Sequence, residues 1–207
     1  MTRTQVDVLR HGEPQGGRLY RGGIDHPLSE KGWKQMWRAV DRGRCDDDAL
    51  ERPWEIVVTS PLLRCAEFAQ TLAQRDRVPL IAEMRFREVG FGGWEGKSGA
   101  EIDAADPEAR TRFYRDPVRA RPEGAEPLQA FVDRVTAAWT EVMTRYAGKK
   151  VLLVVHAGVV RAIIAQVLGA PLAGMYRIQV ANASITRIID DGVRPPTLRF
   201  HGRGTEA

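Results

Sequence analysis

A chain of 207 residues, 43% hydrophobic and 28% charged, can bury a core within one domain and has the balance of an ordinary globular protein. Its net charge of +4 is spread as arginines with acids between them. That pattern excludes a concentrated nucleic-acid-binding tract and suits a small anionic substrate better than a polymer.

Residues 6–9 read as a strand that empties into Arg10-His11-Gly12-Glu13. In open α/β sheets, ligands gather at the carboxyl ends of strands. A cation and an imidazole placed there fit an anion being held and attacked; an Arg-His pair capping an ordinary strand end is the alternative. A loop follows with Gly12, Gly16, Gly17, Gly22 and Gly23, stiffened by Pro14 and Pro27. Its glycines either bring backbone amides close to a phosphate or serve as plain turn residues. Ser29 is placed to cap a helix in which Trp33, Met36, Trp37 and Val40 keep helical spacing. The acidic run Asp46-Asp47-Asp48 reads as a solvated loop.

Residues 54–59 predict a second strand running into Ser60-Pro61, read as the cap and first residue of a helix that continues through Leu72. Arg64 then sits in the first helical turn, either as a phosphate clamp at the positive helix end or as an exposed helix arginine. Residues 78–82 form a short strand, and residues 86–96 a glycine- and aromatic-rich loop carrying Glu88 and Glu95. Residues 98–126 are charged and broken by Pro107, Pro117 and Pro122. Their composition suits an insertion that covers a site, with Phe113 and Tyr114 giving it something to pack. An amphipathic helix is predicted over residues 128–146. The most apolar strand, residues 151–155, ends in His156-Ala157-Gly158 before a helix over residues 159–168. Residues 176–180 and 185–189 read as a late hairpin or strand pair, followed by a short edge strand after Pro195.

Arg10, His11, Arg64 and His156 thus each follow a strand, at the end where an α/β sheet exposes its ligands. Two guanidiniums and two imidazoles around one point suit a phosphoryl group, because arginine forks match phosphate oxygens bidentately. Taken in order, Leu9-Arg10-His11-Gly12-Glu13, Ser60-Pro61-Leu62-Leu63-Arg64 and Val155-His156-Ala157-Gly158-Val159-Val160-Arg161 resemble the histidine phosphatase superfamily, the phosphoglycerate mutase-like group. Within it, residues 20–29, 86–96 and 123–131 look like the alpha-ribazole phosphatase and broad-specificity phosphatase branch. The resemblance implies a three-layer α/β/α fold with a mostly parallel central sheet. It also implies a single domain over residues 1–207, with residues 98–126 as a helical insertion over the active site.

Carried over residue by residue, the resemblance implies that His11 is the nucleophile and forms a phosphohistidine. Arg10, Arg64 and His156 would hold the phosphoryl oxygens, Glu88 would be the proton donor, and Gly22 and Ala157 would offer backbone amides. Two departures stand out. Pro14 occupies a position where serine or threonine is frequent, and Gly17 one where asparagine is frequent; both remove side-chain contacts to phosphate, so a weaker or more open pocket is expected. Neutral imidazole is a competent nucleophile toward phosphorus, and a poor alkoxide leaving group needs an acid. That acid must start protonated, which neighbouring arginines oppose and burial with a bound anion favours, so a mildly acidic to neutral optimum is expected. Glu13 is read as orienting an arginine or facing solvent, Asp25 and Glu95 as substitute acids, His26 and His201 as surface residues, and Arg161 as a structural ion-pair partner.

No cofactor and no metal are expected, since the four histidines are dispersed without ligand spacing. Cys45 and Cys65 are too few for a disulfide framework, and no apolar run is long enough to span a bilayer. With the first strand starting almost at once, no signal peptide fits, and a cytoplasmic location is expected. The expected partner is a small phosphorylated substrate, with neither nucleic acid nor membrane. Oligomeric state is open, a homodimer included. Hydrolysis of alpha-ribazole 5′-phosphate is one candidate activity. A phosphoglycerate mutase is the alternative within enzymes, and a non-catalytic phosphate- or phosphoprotein-binding module the alternative of another class.

Overall fold

The computed structural model describes residues 3–45 and 54–203, so the acidic run Asp46-Asp47-Asp48 lies outside the described residues. Strands and helices alternate: β1 (Thr4–Arg10), α1 (Glu30–Cys45), β2 (Ile56–Thr59), α2 (Leu63–Asp76) and β3 (Leu80–Ala82). After them come α3 (Gly99–Ala105), α4 (Ala109–Arg115), α5 (Leu128–Arg145), β4 (Lys150–Val155), α6 (Ala157–Leu168), β5 (Ile185–Asp190) and β6 (Thr197–Arg203). The six strands make one sheet in the order β3-β2-β4-β1-β5-β6. Four neighbours are parallel, and β5 and β6 close one side antiparallel. The mostly parallel α/β architecture expected from the sequence is therefore present.

Side-chain alternation sends each strand's apolar residues to two separate cores, one per face. Val6 and Val8 of β1 and Val151, Leu153 and Val155 of β4 pack on α5 and α6 through Phe131, Val135, Trp139, Val159 and Ile163. Leu9, Val57, Leu152 and Val154 pack on the opposite layer, against Met36 and Val40 of α1 and Phe68 and Leu72 of α2. Burial on both faces is why residues 151–155 read as a continuous apolar run. It also fixes where a ligand can sit. Adjacent strands β1 and β4 pair in register, Arg10 opposite Val155, yet the helix after β1 goes to one face and the helix after β4 to the other. That divergence opens a crevice at their carboxyl ends, the switch point of a doubly wound sheet.

Local expectations fared unevenly. Ser29 caps α1 as predicted, its hydroxyl accepting the Gly32 N–H at 3.0 Å. Ser60 does not cap α2: the helix begins at Leu63, and the Ser60 hydroxyl lies 2.7 Å from His156 Nε2 instead. That hydroxyl still accepts the Leu62 N–H at 3.4 Å, one residue before the helix, but its shorter contact is with the buried imidazole. Residues 176–180 are not a strand either. A 3-10 turn, Leu172–Arg177, occupies the first part, and the late hairpin is made by β5 with β6. Among the described residues Arg161 makes no ion pair of the expected kind; its Nε donates to the Ile178 carbonyl at 2.9 Å and its guanidinium lies over the Tyr176 ring.

Between β3 and α5, the chain carries α3 and α4 alongside the loop that contains Glu88. Ser98 opens α3 with a reciprocal capping box to Glu101. Phe113 of α4 is fully buried, with ring centroids 5.3 Å from Trp94 and 4.8 Å from Tyr176. One aromatic side chain thus anchors an otherwise charged segment beside the sheet's carboxyl edge.

Candidate active site

His11 follows β1 directly, and its backbone N–H donates to Val155 at 2.9 Å, which extends the β1–β4 ladder into the crevice. The next residue must be glycine. A Cβ on Gly12 would run into the backbone carbonyl of Gly32, because this loop rests on the first turn of α1. The His11 ring is 5% exposed, and Nδ1 lies 2.7 Å from the Gly12 carbonyl. A carbonyl can only accept, so Nδ1 carries the proton and Nε2 keeps its lone pair. The T-shaped contact with His156, centroids 5.3 Å apart, brings together two side chains that are 145 residues apart in the chain.

Cations surround this pair. Arg64 is 1% exposed, which decides against an exposed helix arginine. Its guanidinium donates to the carbonyls of Ile24 at 2.9 Å and Gly22 at 3.2 Å, and lies 4.0 Å from Asp25. Arg10 donates to the Val180 carbonyl. Burial lowers the Arg10 guanidinium to about 10 while Glu88 opposes the shift, so the charge persists at neutral pH. Each arginine keeps one buried N–H, Nε, without a partner. A buried donor left unpaired costs about 1–3 kcal/mol, a cost that a bound oxyanion would remove.

Burial first, and then these arginines, hold both imidazoles well below the ordinary histidine value. His11 and His156 are therefore neutral in the folded protein, whereas the unfolded chain protonates its histidines near 6.5. Below that pH the unfolded state binds more protons, so the contribution to stability is complete above about 6.5 and is lost as pH falls. Each histidine should steepen the decline by up to about 1.4 kcal/mol per pH unit. Urea unfolding between pH 7.5 and 5.5 checks this: His11→Asn should decline less steeply than wild type by about one proton's worth. Identical slopes would contradict it.

Glu88 approaches from the loop after the 3-10 turn Met84–Phe86. Its carboxylate accepts the Gly158 N–H at 3.1 and 3.2 Å and the Val89 N–H at 3.0 Å. Gly158 belongs to the first turn of α6, where a Cβ would collide with that carboxylate. Ala157 opens the same helix, so its N–H is among those the helix leaves unpaired. Gly22 takes a left-handed backbone (φ 48°) and gives its carbonyl to Arg64; a Cβ there would strike Glu95.

Of the other sequence candidates, Asp25 borders this constellation through Arg64 and the rest are engaged elsewhere. Glu13 pairs with Lys31 at 2.9 Å, and among the described residues it pairs with no arginine. Asp25 accepts the Leu63 N–H, and Glu95 accepts those of Gly23 and Phe91, so each carboxylate fixes a loop. His26 accepts from Arg21, and His201 meets Thr186 and the Gln179 carbonyl. Sequence reasoning gave no part in the site to three residues that shape it, although it reads Ser60 as a helix cap. Ser60 meets His156 as described. Arg21, 8% exposed, ties the glycine-rich loop by donating to Gln15 and Gly17 at 2.7 and 2.6 Å, and adds positive charge near His11. Arg134 pairs with Glu126 at 2.7 Å and donates to the carbonyls of Arg85, Arg87 and Glu88, clamping the loop that carries the acid. Arg21 and Ser60 lie in stretches that carry the family resemblance, which was their only signal; for Arg134 the local sequence carries none.

Among the described residues, no group of three or more His, Cys, Asp or Glu side chains is placed to hold a metal ion. No helix among them is long and apolar enough to cross a membrane.

The family model described as histidine phosphatase superfamily (branch 1) matches residues 6–200. The chain is 31% identical over 174 residues to a glucosyl-3-phosphoglycerate phosphatase of Mycolicibacterium vanbaalenii, covering 80% of this chain and 74% of that one. It is 30% identical over 190 residues to a probable phosphoglycerate mutase GpmB of Klebsiella pneumoniae, covering 89% and 84%. Among solved structures, Bacillus stearothermophilus YhfR superposes with a TM-score of 0.84 at 28% identity, over 99% of this chain and 98% of that one. The alpha-ribazole phosphatase from Shigella flexneri gives 0.79 at 25% identity, over 98% of each. Against three mycobacterial relatives at 30% identity, the chain spans about half their length, 52%.

Proposed function

The chain belongs to the histidine phosphatase superfamily, and from that premise we propose that it is a metal-independent phosphomonoesterase acting through a phosphohistidine at His11. One observation carries the reading: the Gly12 carbonyl holds the Nδ1 proton, so a neutral Nε2 lone pair stands among buried arginines with unpaired N–H groups.

In this reading, Arg10, Arg64, His156 and the Ala157 amide stabilise the charge on the equatorial oxygens while Nε2 attacks phosphorus in line. Gly22, expected as an amide donor, also gives its carbonyl to Arg64. Glu88 protonates the departing alkoxide, then takes a proton from the water that cleaves the P–N bond. The Gly158 N–H fixes the carboxylate in place for both steps. Residues 98–126 form a cap on the leaving-group side. A mutase remains the second reading, favoured by the similarity to the GpmB relative. The names of relatives supply two candidate substrates, alpha-ribazole 5′-phosphate and glucosyl-3-phosphoglycerate.

A panel of phosphomonoesters, assayed for released phosphate with and without EDTA, tests the proposal. Phosphate release that survives chelation is expected. Loss with EDTA and recovery with a divalent ion would overturn the metal-independent mechanism. Isomerisation of phosphoglycerates without net release would make the mutase the correct reading, and phosphate binding without any turnover would make it a binding module.

A further inference from the structure

Residues 178–184 belong to no helix or strand, yet they run directly behind the two residues that begin the site. The Ala183 N–H donates to the His11 carbonyl at 3.2 Å, and the Ser184 carbonyl accepts the Arg10 N–H at 3.0 Å. Earlier in the same segment, three successive carbonyls are each taken by a side chain. Ile178 accepts Arg161 Nε at 2.9 Å, Gln179 meets His201 Nε2 at 2.6 Å, and Val180 accepts Arg10 Nη1. The mechanism above uses Arg10 and gives His201 no part.

His201 reaches this segment through a bulge in the edge strand β6. Between the pairs Ile185–Arg203 and Arg187–Phe200, two β6 residues, His201 and Gly202, face the single residue Thr186. Gly202 supplies a left-handed backbone there (φ 83°). An extra residue of this kind bends a strand and re-aims a side chain. The imidazole is then held at both nitrogens. A carbonyl only accepts, so Nε2 carries the proton and donates to Gln179; Nδ1 lies 2.7 Å from Oγ1 of Thr186, which is fully buried.

The Gln179 and Val180 carbonyls lie in adjacent peptide units. Each unit is planar, so only the φ and ψ of Val180 stand between them. Val180 is itself buried in the core that packs on α5 and α6, which leaves those two angles little freedom. Holding the Gln179 carbonyl therefore limits where the Val180 carbonyl points, and that carbonyl holds Arg10 Nη1. A guanidinium is a rigid plane, so fixing Nη1 also fixes the direction of the unpaired Nε.

We propose that His201 is a positioning residue for Arg10, holding the Gln179–Val180 backbone so that the Arg10 fork faces the phosphoryl oxygens. The proposal rests on the phosphomonoesterase reading and adds to it a part for the edge strand, played through backbone and not on the substrate.

The test is a double-mutant cycle read as kcat/KM on p-nitrophenyl phosphate, at a temperature where circular dichroism shows every variant folded. His201→Leu removes the donor and should lower kcat/KM about tenfold, within the range that coupled contacts show. His201→Gln keeps an N–H of similar reach and should recover to within about twofold of wild type. Arg10→Met retains His11, Arg64 and Glu88, so its residual turnover can be followed at high enzyme concentration. In that background His201→Leu should change kcat/KM by less than about twofold, because its route of action is gone. Equal losses in the two backgrounds would mean that His201 acts independently of Arg10, as a merely structural residue would, and overturn the proposal. An unchanged His201→Leu overturns it too, as does a His201→Gln no faster than His201→Leu. Each of these, with wild type still hydrolysing the ester, overturns this inference alone. Failure of wild type to hydrolyse any phosphomonoester overturns it together with the phosphomonoesterase reading.

Discussion

Replacing His11 with alanine is expected to lower kcat on every phosphomonoester by roughly four to six orders of magnitude, the range seen when a covalent nucleophile is removed. The size of the effect follows from the division of labour in the pocket. Arg10, Arg64 and His156 hold and stabilise the phosphoryl group, but none of them presents a neutral lone pair fixed by its own backbone. His11 does, through the 2.7 Å contact between Nδ1 and the Gly12 carbonyl. Since the arginines remain, His11→Ala should still bind inorganic phosphate or vanadate, which calorimetry would register. Residual turnover above about a hundredth of wild type would assign the attack to water and leave His11 a binding residue.

Glu88→Gln is expected to cost about 100- to 10,000-fold on alkyl phosphates, the usual worth of a positioned acid or base. On p-nitrophenyl phosphate the loss should be far smaller for the first step, because a nitrophenolate leaves without a proton. The contrast between the two substrates carries the argument. Glu88 also accepts the Gly158 N–H at 3.1 Å, and a role confined to that structural contact would reduce both substrates alike. The comparison therefore separates an acid from a strut, with kcat/KM on the two esters as the readout, since that quantity reports the steps through departure of the leaving group and not the later hydrolysis of the phosphohistidine. Equal losses would move the proton donor elsewhere.

The parts of the site legible in the sequence are those where a residue's role follows from its position in a local element. Arg10 and His11 end an apolar strand, and His156 ends the most apolar strand of the chain. Both strands are buried on two faces, so their carboxyl ends are where polar side chains can collect. Arg64 was ambiguous for the same reason: the first turn of a helix is compatible with exposure or with burial, and only packing against Ile24 and Gly22 decides it. Ser60 was misread because Ser-Pro before a helix is a capping pattern. Its shorter contact is with a partner 96 residues away, His156, beside a longer one from the Leu62 N–H. Of the two readings of Glu13, the solvent-facing one holds: its carboxylate pairs with the exposed Lys31.

What the sequence left dark is set by long-range pairing. Asp7 sits in the middle of β1, 1% exposed, and is balanced by Arg187 of β5 at 2.7 Å and by the Trp54 indole at 2.9 Å. Neither partner is local, and a lone aspartate in an apolar strand announces neither of them. Arg10 and the Val180 carbonyl belong to the same class, brought together from positions 170 residues apart. Residues 98–126 read as a charged, proline-broken stretch. Its packing emerges only once Phe113 is seen against Trp94 and Tyr176.

The central claim is a covalent phosphohistidine on His11, and rapid quenching of the enzyme during turnover of a radiolabelled phosphomonoester tests it most directly. Label should appear on the chain at least as fast as steady-state turnover, should resist base and be released by acid, and should map to the peptide containing His11. It should be absent from His11→Ala. Label on any other side chain, or full turnover with no labelled protein at any time, would contradict the account.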